Sequence, residues 1–270
     1  MSREATTLRR EHLAALVDER GFLRVIDASE ILGVSEVTVR GDLTALELDG
    51  RVVRVHGGAM SPGQLPGHGA APEPTFEQAL SLEAESKRAI GEAVAALVES
   101  GQSVILDVGS TALAVAEALV RRTDLVDVAV ITNGLSIALA LEAAMPRFTV
   151  VVTGGTLRPL QHSLVNPSAS SFLESVHADI AFIGCNGIDP HRGVTNINFP
   201  EAEVKRRMLQ SSARHVLIAD GSKLGQAHLG VIGAVGDFDC LVTGGAIDTV
   251  IADQLRGTGL DVVVAAAGTR

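Results

Sequence analysis

The chain contains no tryptophan and no tyrosine, so a ligand site built on stacked aromatic rings is a poor option. Cysteine is nearly absent too: Cys185 and Cys240 are the only two, without C-x-x-C spacing or a zinc-ligand pattern. No nucleophile elbow and no dinucleotide fingerprint occur. We therefore expect no metal, no cofactor, no catalytic residues and two free thiols in a reducing cytoplasm.

Long apolar segments are also missing. No run reaches the length of a membrane span, and the N-terminal MSREATTLRREH lacks the apolar core of a secretion signal. Hydrophobic residues make up 46% and charged residues 20% of the 270 positions, enough for one sizeable core and a smaller second domain. These features predict a cytoplasmic protein with no membrane association.

Positive charge is scarce, both in the whole chain and in its N-terminal part. The whole chain has a formal net charge of −10. Its first 58 residues hold eight arginines against ten acidic residues, a net charge of −2. A basic surface is the usual footprint of nucleic-acid binding. Any such binding must therefore depend on where individual arginines lie, and we expect it to be salt-sensitive.

Residues 27–59 nevertheless have the layout of a DNA-binding motif. A short helix with Asp27 as its cap is broken by Gly33. Ser35 is then placed to cap a second helix over about residues 36–48. Two helices joined by a tight turn predict a helix-turn-helix.

The second helix of this motif has one apolar and one polar face. Val39, Leu43 and Leu46 share a stripe at helical spacing, and the alternating run RVVRVH that follows predicts a short strand. Together these elements predict a winged helix-turn-helix whose second helix enters the major groove. The predicted DNA contacts are Ser35, Thr38, Arg40 and Thr44 on the helix and Arg51, Arg54 and His56 on the wing. A structural helical hairpin with solvated arginines stays open on this local pattern alone.

A Gly/Pro-rich stretch, residues 60–74, predicts a linker between a domain of residues 1–59 and a domain of residues 75–270. In the second domain, residues 76–99 are expected to be helical. Apolar strands such as SVILDV and DIAFIG then alternate with amphipathic helices. This alternation predicts an α/β fold with a parallel sheet covered on both faces.

Small and polar residues follow several of the predicted strands. Gly109-Ser110-Thr111 ends one strand and opens a helix, where backbone N–H groups, hydroxyls and the helix dipole favour a phosphate. Lys205 could form a helical ion pair with Glu201 or contact a ligand, and Arg158 could clamp a phosphate or face solvent. Because ligands bind at the carboxyl ends of parallel strands, the predicted effector contacts are Asp107, Gly109, Ser110, Thr111, Asn133, Gly154, Gly155, Asp189, Glu201, Lys205 and Lys223.

Several runs follow one another in a recognisable order. Residues 33–59 read GVSEVTVRGDLTALELDG followed by RVVRVHGGA, and the second domain contains LDVGST, VITNG, VVTGGTLRP, ADIAFIGCNGID, EAEVKRRML and IADGSKLG. In this order the runs resemble the DeoR family of bacterial transcriptional regulators. The resemblance implies a sensor domain similar to ribose-5-phosphate isomerase and CoA transferase folds, and a phosphorylated sugar or related metabolite as effector. Two positions depart from the family pattern: Gly41 replaces the second of two arginines, and Asn166 stands where glycine is common.

The sequence thus predicts a transcriptional regulator that acts as a repressor. Its expected partners are double-stranded operator DNA, a phosphorylated sugar or similar small molecule, and further copies of itself. The alternative is a sugar-phosphate isomerase-type enzyme whose N-terminal domain serves assembly, with Asp107, Asp189 or Glu201 as the base. A third possibility is a DNA binder whose sensor domain has lost its ligand.

Overall fold

The computed structural model describes residues 3–20, 22–55, 58–60 and 73–266. The chain divides into two compact units, residues 1–70 and 71–270. The predicted linker falls largely on residues 61–72, which lie outside the described residues, so its bounds remain a prediction. Within the described part of the chain, no helix is both long enough and apolar enough to cross a membrane.

The first unit is the predicted winged helix-turn-helix. Its elements are α1 (Arg3–Arg20), β1 (Phe22–Arg24), α2 (Val25–Leu32), α3 (Glu36–Leu48), β2 (Val53–Val55) and β3 (Gly58–Met60). The three strands form an antiparallel sheet in the order β1-β3-β2. The apolar stripe predicted for α3 packs on α1, and the shared core includes Leu13, Val17, Val39, Leu43 and Leu46.

The predicted bounds are correct for α3, but the predicted start of α2 lies too far along the chain. Ser35 caps α3, since its Oγ accepts the backbone N–H of Thr38 at 3.2 Å. The α2 helix begins at Val25, two residues before the predicted cap. Asp27 lies in the first turn of α2 and pairs with Arg24 at 2.7 Å. An acidic residue in the first turn still interacts favourably with the positive end of the helix dipole.

The second unit is built on one seven-stranded parallel sheet. Its strands are β4 (Ser103–Leu106), β5 (Val128–Thr132), β6 (Phe148–Val152), β9 (Ala178–Gly184), β12 (Ser212–Ile218), β14 (Cys240–Thr243) and β15 (Asp261–Val264). They lie in the order β15-β14-β12-β9-β4-β5-β6, with every neighbouring pair parallel. The helices of this unit are α4 (Phe76–Ser81), α5 (Ala84–Ala95), α6 (Ser110–Arg121), α7 (Leu135–Leu141), α8 (Pro167–Leu173), α9 (Phe199–Gln210) and α10 (Thr249–Gly257). Two small sheets lie beside it, formed by β7 (Thr156–Arg158) with β8 (Ser163–Val165), and by β10 (Gly187–Asp189), β11 (Gly193–Asn196) and β13 (Gly230–Gly233).

Both faces of the large sheet are covered, as the sequence predicts. Successive residues of β4 contribute to two different apolar clusters, Ile105 to one and Val104 with Leu106 to the other. All three are fully buried. Because side chains alternate across a strand, the two clusters lie on opposite faces of the sheet.

The single helix expected over residues 76–99 is wrong. The segment forms α4 and α5, which are separated at Leu82 and Glu83, and Glu83 has a left-handed φ of 52°. Lys87 stabilises the break, because its buried ammonium donates to the carbonyls of Ala79 at 2.7 Å and Leu82 at 2.6 Å. The carbonyls at the end of α4 are thus satisfied by a side chain instead of by a continuing helix.

Candidate DNA-contact helix and ligand cavity

Arg40 lies on the open face of α3, with 54% of its side chain exposed. Its Nη2 pairs with Glu36 at 2.6 Å, one helical turn earlier. An exposed helical pair of this kind contributes less than about 1 kcal/mol, so a DNA phosphate or base edge can replace Glu36. The neighbouring Gly41 is exposed, and a Cβ built there would have no atom within 4 Å.

The hydroxyl groups predicted to contact DNA are engaged within α3. Ser35 Oγ and Thr38 Oγ1 lie 2.9 Å apart in a hydrogen bond. Thr44 Oγ1 donates to the carbonyl of Arg40 at 2.8 Å. These contacts occupy the three hydroxyl groups and leave Arg40 as the most available predicted contact on the helix.

Arg54 fastens the wing strand to α3. Its Nη1 donates to Thr44 Oγ1 at 3.0 Å and to the carbonyl of Arg40 at 3.2 Å. A phosphate contact from Arg54 would require these bonds to be given up or shared. Arg51 is exposed, and His56 lies outside the described residues.

Asp42 joins α3 to α1, a contact that the sequence analysis missed. This buried carboxylate accepts Nε of Arg9 at 2.5 Å and Nε of Arg10 at 2.9 Å. Although burial acts in the opposite direction, the hydrogen bonds from both arginines hold the pKa of Asp42 below its ordinary value. Two of the few positive charges of this unit therefore serve the fold.

The second unit contains a cavity of about 250 Å³ at the carboxyl ends of β4, β9 and β12. From β4 the chain continues outward to β5 and β6, whereas from β9 it continues in the other direction to β12, β14 and β15. The strand order thus reverses between β4 and β9, which is the position where open parallel sheets bind ligands.

Six of the predicted effector contacts line this cavity: Gly109, Ser110, Thr111, Glu201, Lys205 and Lys223. The first three form the turn between β4 and the first turn of α6, so unpaired backbone N–H groups and the positive end of the helix dipole are next to the cavity. Lys223 lies in a short 3₁₀ turn after β12. Amide groups, hydroxyls and a lysine at one point suit an anionic ligand such as a phosphate.

Asp107 lies behind the cavity and holds Lys205 in place. Lys205 Nζ donates to Asp107 Oδ2, which also accepts the backbone N–H of Gly184 at 2.9 Å. Burial opposes the charge of Lys205, but the neighbouring carboxylates of Asp107 and Glu201 outweigh it and raise the pKa of Lys205. Lys205 thus lines the cavity as a cation, and its ion-pair partner is Asp107 rather than Glu201.

Glu201 is bound on both oxygens at the edge of the cavity. Its Oε1 accepts Ser163 Oγ at 2.5 Å and Arg158 Nη1 at 2.9 Å, and its Oε2 accepts Asn196 Nδ2 at 3.3 Å. Arg158 also pairs with Glu73 through Nη2 and, at 3.2 Å, through Nη1. Arg158 therefore does not face solvent, since two carboxylates hold it.

The structure does not bring Asn133, Gly154 or Gly155 to the cavity. Asn133 is buried beneath β8 and donates to the carbonyl of Leu164 at 3.2 Å. Gly155 has a φ of 124°, and a Cβ there would lie 2.6 Å from the carbonyl oxygen of Val165. These residues follow β5 and β6, which are farther along the sheet, and they serve the β7–β8 hairpin.

Asp189 also lies away from the cavity lining. Its Oδ1 accepts the backbone N–H groups of His191 at 2.9 Å and Arg192 at 2.8 Å, so it closes the turn between β10 and β11. Asn166 is exposed ahead of α8, with φ 69° and ψ −175°. This backbone region is one that glycine occupies readily, which accounts for glycine as the common family residue there.

The polar and charged cavity residues that the sequence analysis missed are Glu73, Glu83, Lys87, Gln161, Asn186, Asn196, Asp220 and Ser222. Lys87 could have been found, because it shares the apolar stripe of α5 with Ile90 and Val94. A lysine in such a stripe must satisfy its charge inside the fold. Burial lowers the pKa of Lys87.

Comparison with known proteins agrees with both units. Residues 82–245 match the family model described as the DeoR C terminal sensor domain, and residues 9–64 match the DeoR-like helix-turn-helix domain. The chain belongs to the DeoR family. It is a DNA-binding transcriptional regulator, and the predictions of fold class and of family are confirmed.

Relatives of this DeoR-family regulator match over nearly their whole length. The Putative aga operon transcriptional repressor of Escherichia coli O157:H7 is 32% identical over 96% of this chain and 94% of that protein. The HTH-type transcriptional regulator GlpR of Haloferax volcanii is 34% identical over 94% of this chain and 96% of that protein.

Two solved structures show distant likeness. The full-length Sorbitol Operon Regulator SorC from Klebsiella pneumoniae has a TM-score of 0.41 and 15% identity, covering 91% of this chain and 97% of that one. Ribose 5-phosphate isomerase a from Methanocaldococcus jannaschii has a TM-score of 0.39 and 17% identity, covering 52% of this chain and 54% of that one.

Proposed function

We propose that this DeoR-family regulator is a repressor that leaves its operator when a phosphorylated sugar binds the cavity of the second unit. The cavity carries the proposal, because it joins the Gly109-Ser110-Thr111 turn at a helix N-terminus with Lys205 and Lys223. Release requires the sugar phosphate to bind the DNA-free arrangement more tightly than the DNA-bound one.

DNA recognition is assigned to α3, with Arg40 in the major groove. Its exposure and its weak pairing with Glu36 support this role. We infer that the regulator acts in the cytoplasm as a homo-oligomer, because a single helix-turn-helix with so little positive charge has few phosphate contacts to offer.

A regulatory role without catalysis is part of the proposal. The relatives are named as transcriptional regulators. The three carboxylates of the isomerase alternative have structural partners: Asp107 is enclosed with Lys205, Glu201 is bound by Arg158 and Ser163, and Asp189 closes the β10–β11 turn. A general base must reach a carbon-bound proton of its substrate. Asp107 and Asp189 do not line the cavity, and both oxygens of Glu201 already accept hydrogen bonds.

The test is binding of the purified full-length protein to its own upstream DNA, titrated against salt with and without sugar phosphates. Arg40→Ala should lower specific affinity by about tenfold or more, the loss expected for one base-reading arginine. Arg256→Ala removes a comparably exposed arginine from α10, 45% against 54% for Arg40, and serves as the charge-matched control. Unchanged binding by Arg40→Ala would refute the groove assignment.

The sensor half needs its own variant. Lys223→Ala should keep operator binding but require about tenfold more sugar phosphate for release, since one charge-assisted phosphate contact is lost. Specific DNA binding that no sugar phosphate alters would refute this effector class. Aldose–ketose isomerisation by the wild-type protein would instead support the enzyme alternative.

A further inference from the structure

The segment that leads into α4 contributes a carboxylate to the cavity. Glu73 lines it, with only 9% of its side chain exposed, and both of its oxygens pair with Arg158. The carbonyl of the next residue, Pro74, accepts Gln161 Nε2 at 2.7 Å. Thr75 then caps α4 in a reciprocal pair of bonds with Gln78. The segment is thus fixed to the rest of the sensor unit by an ion pair and a hydrogen bond, and it continues directly into the capped first turn of α4.

Glu73 and Glu201 compete for the same guanidinium, that of Arg158. Arg158 is shared by two carboxylates, Glu73 and Glu201, so the three side chains together carry a net negative charge. Burial raises the pKa of Glu73, and the charge of Glu201 raises it further against the opposing effect of Arg158. Glu201 has further partners in Ser163 and Asn196, whereas Glu73 has Arg158 alone among the contacts that the described residues show. Glu73 is therefore the more easily displaced of the two.

The charges of the lining also oppose an incoming anion while Glu73 is in place. The lining lysines are Lys87, Lys205 and Lys223, and the lining carboxylates are Glu73, Glu83, Glu201 and Asp220. The carboxylates thus outnumber the lysines by one. Removing Glu73 balances the lining and frees one side of a guanidinium, the group best suited to bind a phosphate on two oxygens.

We propose that Glu73 fills part of the cavity in the absence of the effector, and that the effector binds by displacing Glu73 from Arg158. This inference rests on the proposed function, because it takes the cavity ligand to be an anion. From Glu73 the chain leads through residues 61–72 to β3 of the DNA-binding unit. Displacement of Glu73 therefore releases one of the described contacts that hold this end of the connection on the sensor unit.

Glu73→Gln in the full-length protein tests the competition, with ribose 5-phosphate and inorganic phosphate as probes in calorimetric titrations. Glutamine keeps the size of the side chain and loses the charge. The variant should bind ribose 5-phosphate about tenfold more tightly than wild type, since a competing charge-assisted pair is removed. Glu77→Gln is the matched control: it removes an exposed carboxylate from α4 outside the cavity and should bind as wild type.

Hydrogen exchange of the wild-type protein separates displacement from a simple change of charge. Ribose 5-phosphate should protect the amides of residues 109–113 at the start of α6 and, at the same time, increase exchange at residues 75–79. A ligand that merely fills the cavity would protect both segments, and that result would overturn the inference.

The outcomes distinguish the inference from the function on which it rests. If wild type binds ribose 5-phosphate and Lys223→Ala weakens that binding, but Glu73→Gln gives no gain, only the displacement of Glu73 is refuted. If neither wild type nor Glu73→Gln binds either probe, the anionic effector is refuted and the displacement with it.

Discussion

Replacing Asp107 by asparagine should be one of the most damaging conservative changes in the sensor unit. Asp107 is completely buried, and 4% of the Lys205 side chain is exposed. Asparagine would leave the ammonium of Lys205 enclosed without its main counter-charge. Breaking one side of a buried ion pair costs about 3–5 kcal/mol, which is a large part of the stability of an ordinary domain. Lys205→Met should cost a similar amount, since it leaves the carboxylate unpaired.

The double variant should recover most of this loss. Asp107→Asn with Lys205→Met leaves no buried charge, and replacing a buried pair by neutral groups of similar size is often nearly neutral. The two single losses would sum to about 6–10 kcal/mol if the sites were independent. We expect a double-variant loss of about 2 kcal/mol, hence a strong coupling energy between the two residues.

Urea unfolding followed by far-ultraviolet circular dichroism measures these differences. The chain lacks tryptophan and tyrosine, so intrinsic fluorescence offers little signal. Any separate transition of the DNA-binding unit should be unchanged and serves as an internal control. Single losses below about 1 kcal/mol, or a double-variant loss equal to the sum of the singles, would show that the pair does not stabilise the buried charges as described.

Three further changes test other parts of the chain. Asp42→Asn should destabilise the DNA-binding unit by about 2 kcal/mol at neutral pH. Because Arg9 and Arg10 lower the pKa of Asp42, the difference in unfolding free energy should begin to shrink as the pH falls below the ordinary carboxyl value of 3.8 and should be lost as it falls through the lowered pKa; a pH-independent difference would contradict the ion pair. Asn166→Gly should stabilise the sensor unit by about 1 kcal/mol in thermal unfolding, because the observed φ of 69° suits glycine, and no gain would argue against strain there. Gly41→Ala should stabilise the DNA-binding unit by about 1 kcal/mol, since the added methyl group meets open space, and a loss would mean that this face is covered.

Local sequence patterns predicted the structure correctly where it depends on residues close together in the chain. Ser35 followed by an apolar stripe fixed the bounds of α3, because capping and helical amphipathicity act within a few residues. The turn Gly109-Ser110-Thr111 could be placed at a helix N-terminus for the same reason. Where two local signals compete, as at Lys87, periodicity alone predicted a continuous helix and missed the break at Glu83.

The cavity could be predicted only in part, because the local sequence of a strand does not determine which strands are its neighbours in the sheet. Residues at the ends of β4 and β12 converge at the point where the strand order reverses. Asn133 and Gly155 follow strands of the same kind but lie farther along the sheet. Turns of similar composition therefore either line the cavity or support a hairpin, depending on where their strands lie in the sheet.

By itself the sequence determined two structural parts, a winged helix-turn-helix and a parallel α/β sheet with a phosphate-suited turn at its edge, and only the resemblance to the DeoR family indicated a regulator. Caps, apolar periodicity and strand–helix alternation depend on side chains a few positions apart, so they can be read from the chain directly. Only the tertiary structure decided the charge partners: Asp42 with Arg9, Asp107 with Lys205, and Glu73 with Arg158. A buried charge must find a counter-charge wherever the fold brings one close, and that distance in space has no fixed relation to distance in sequence.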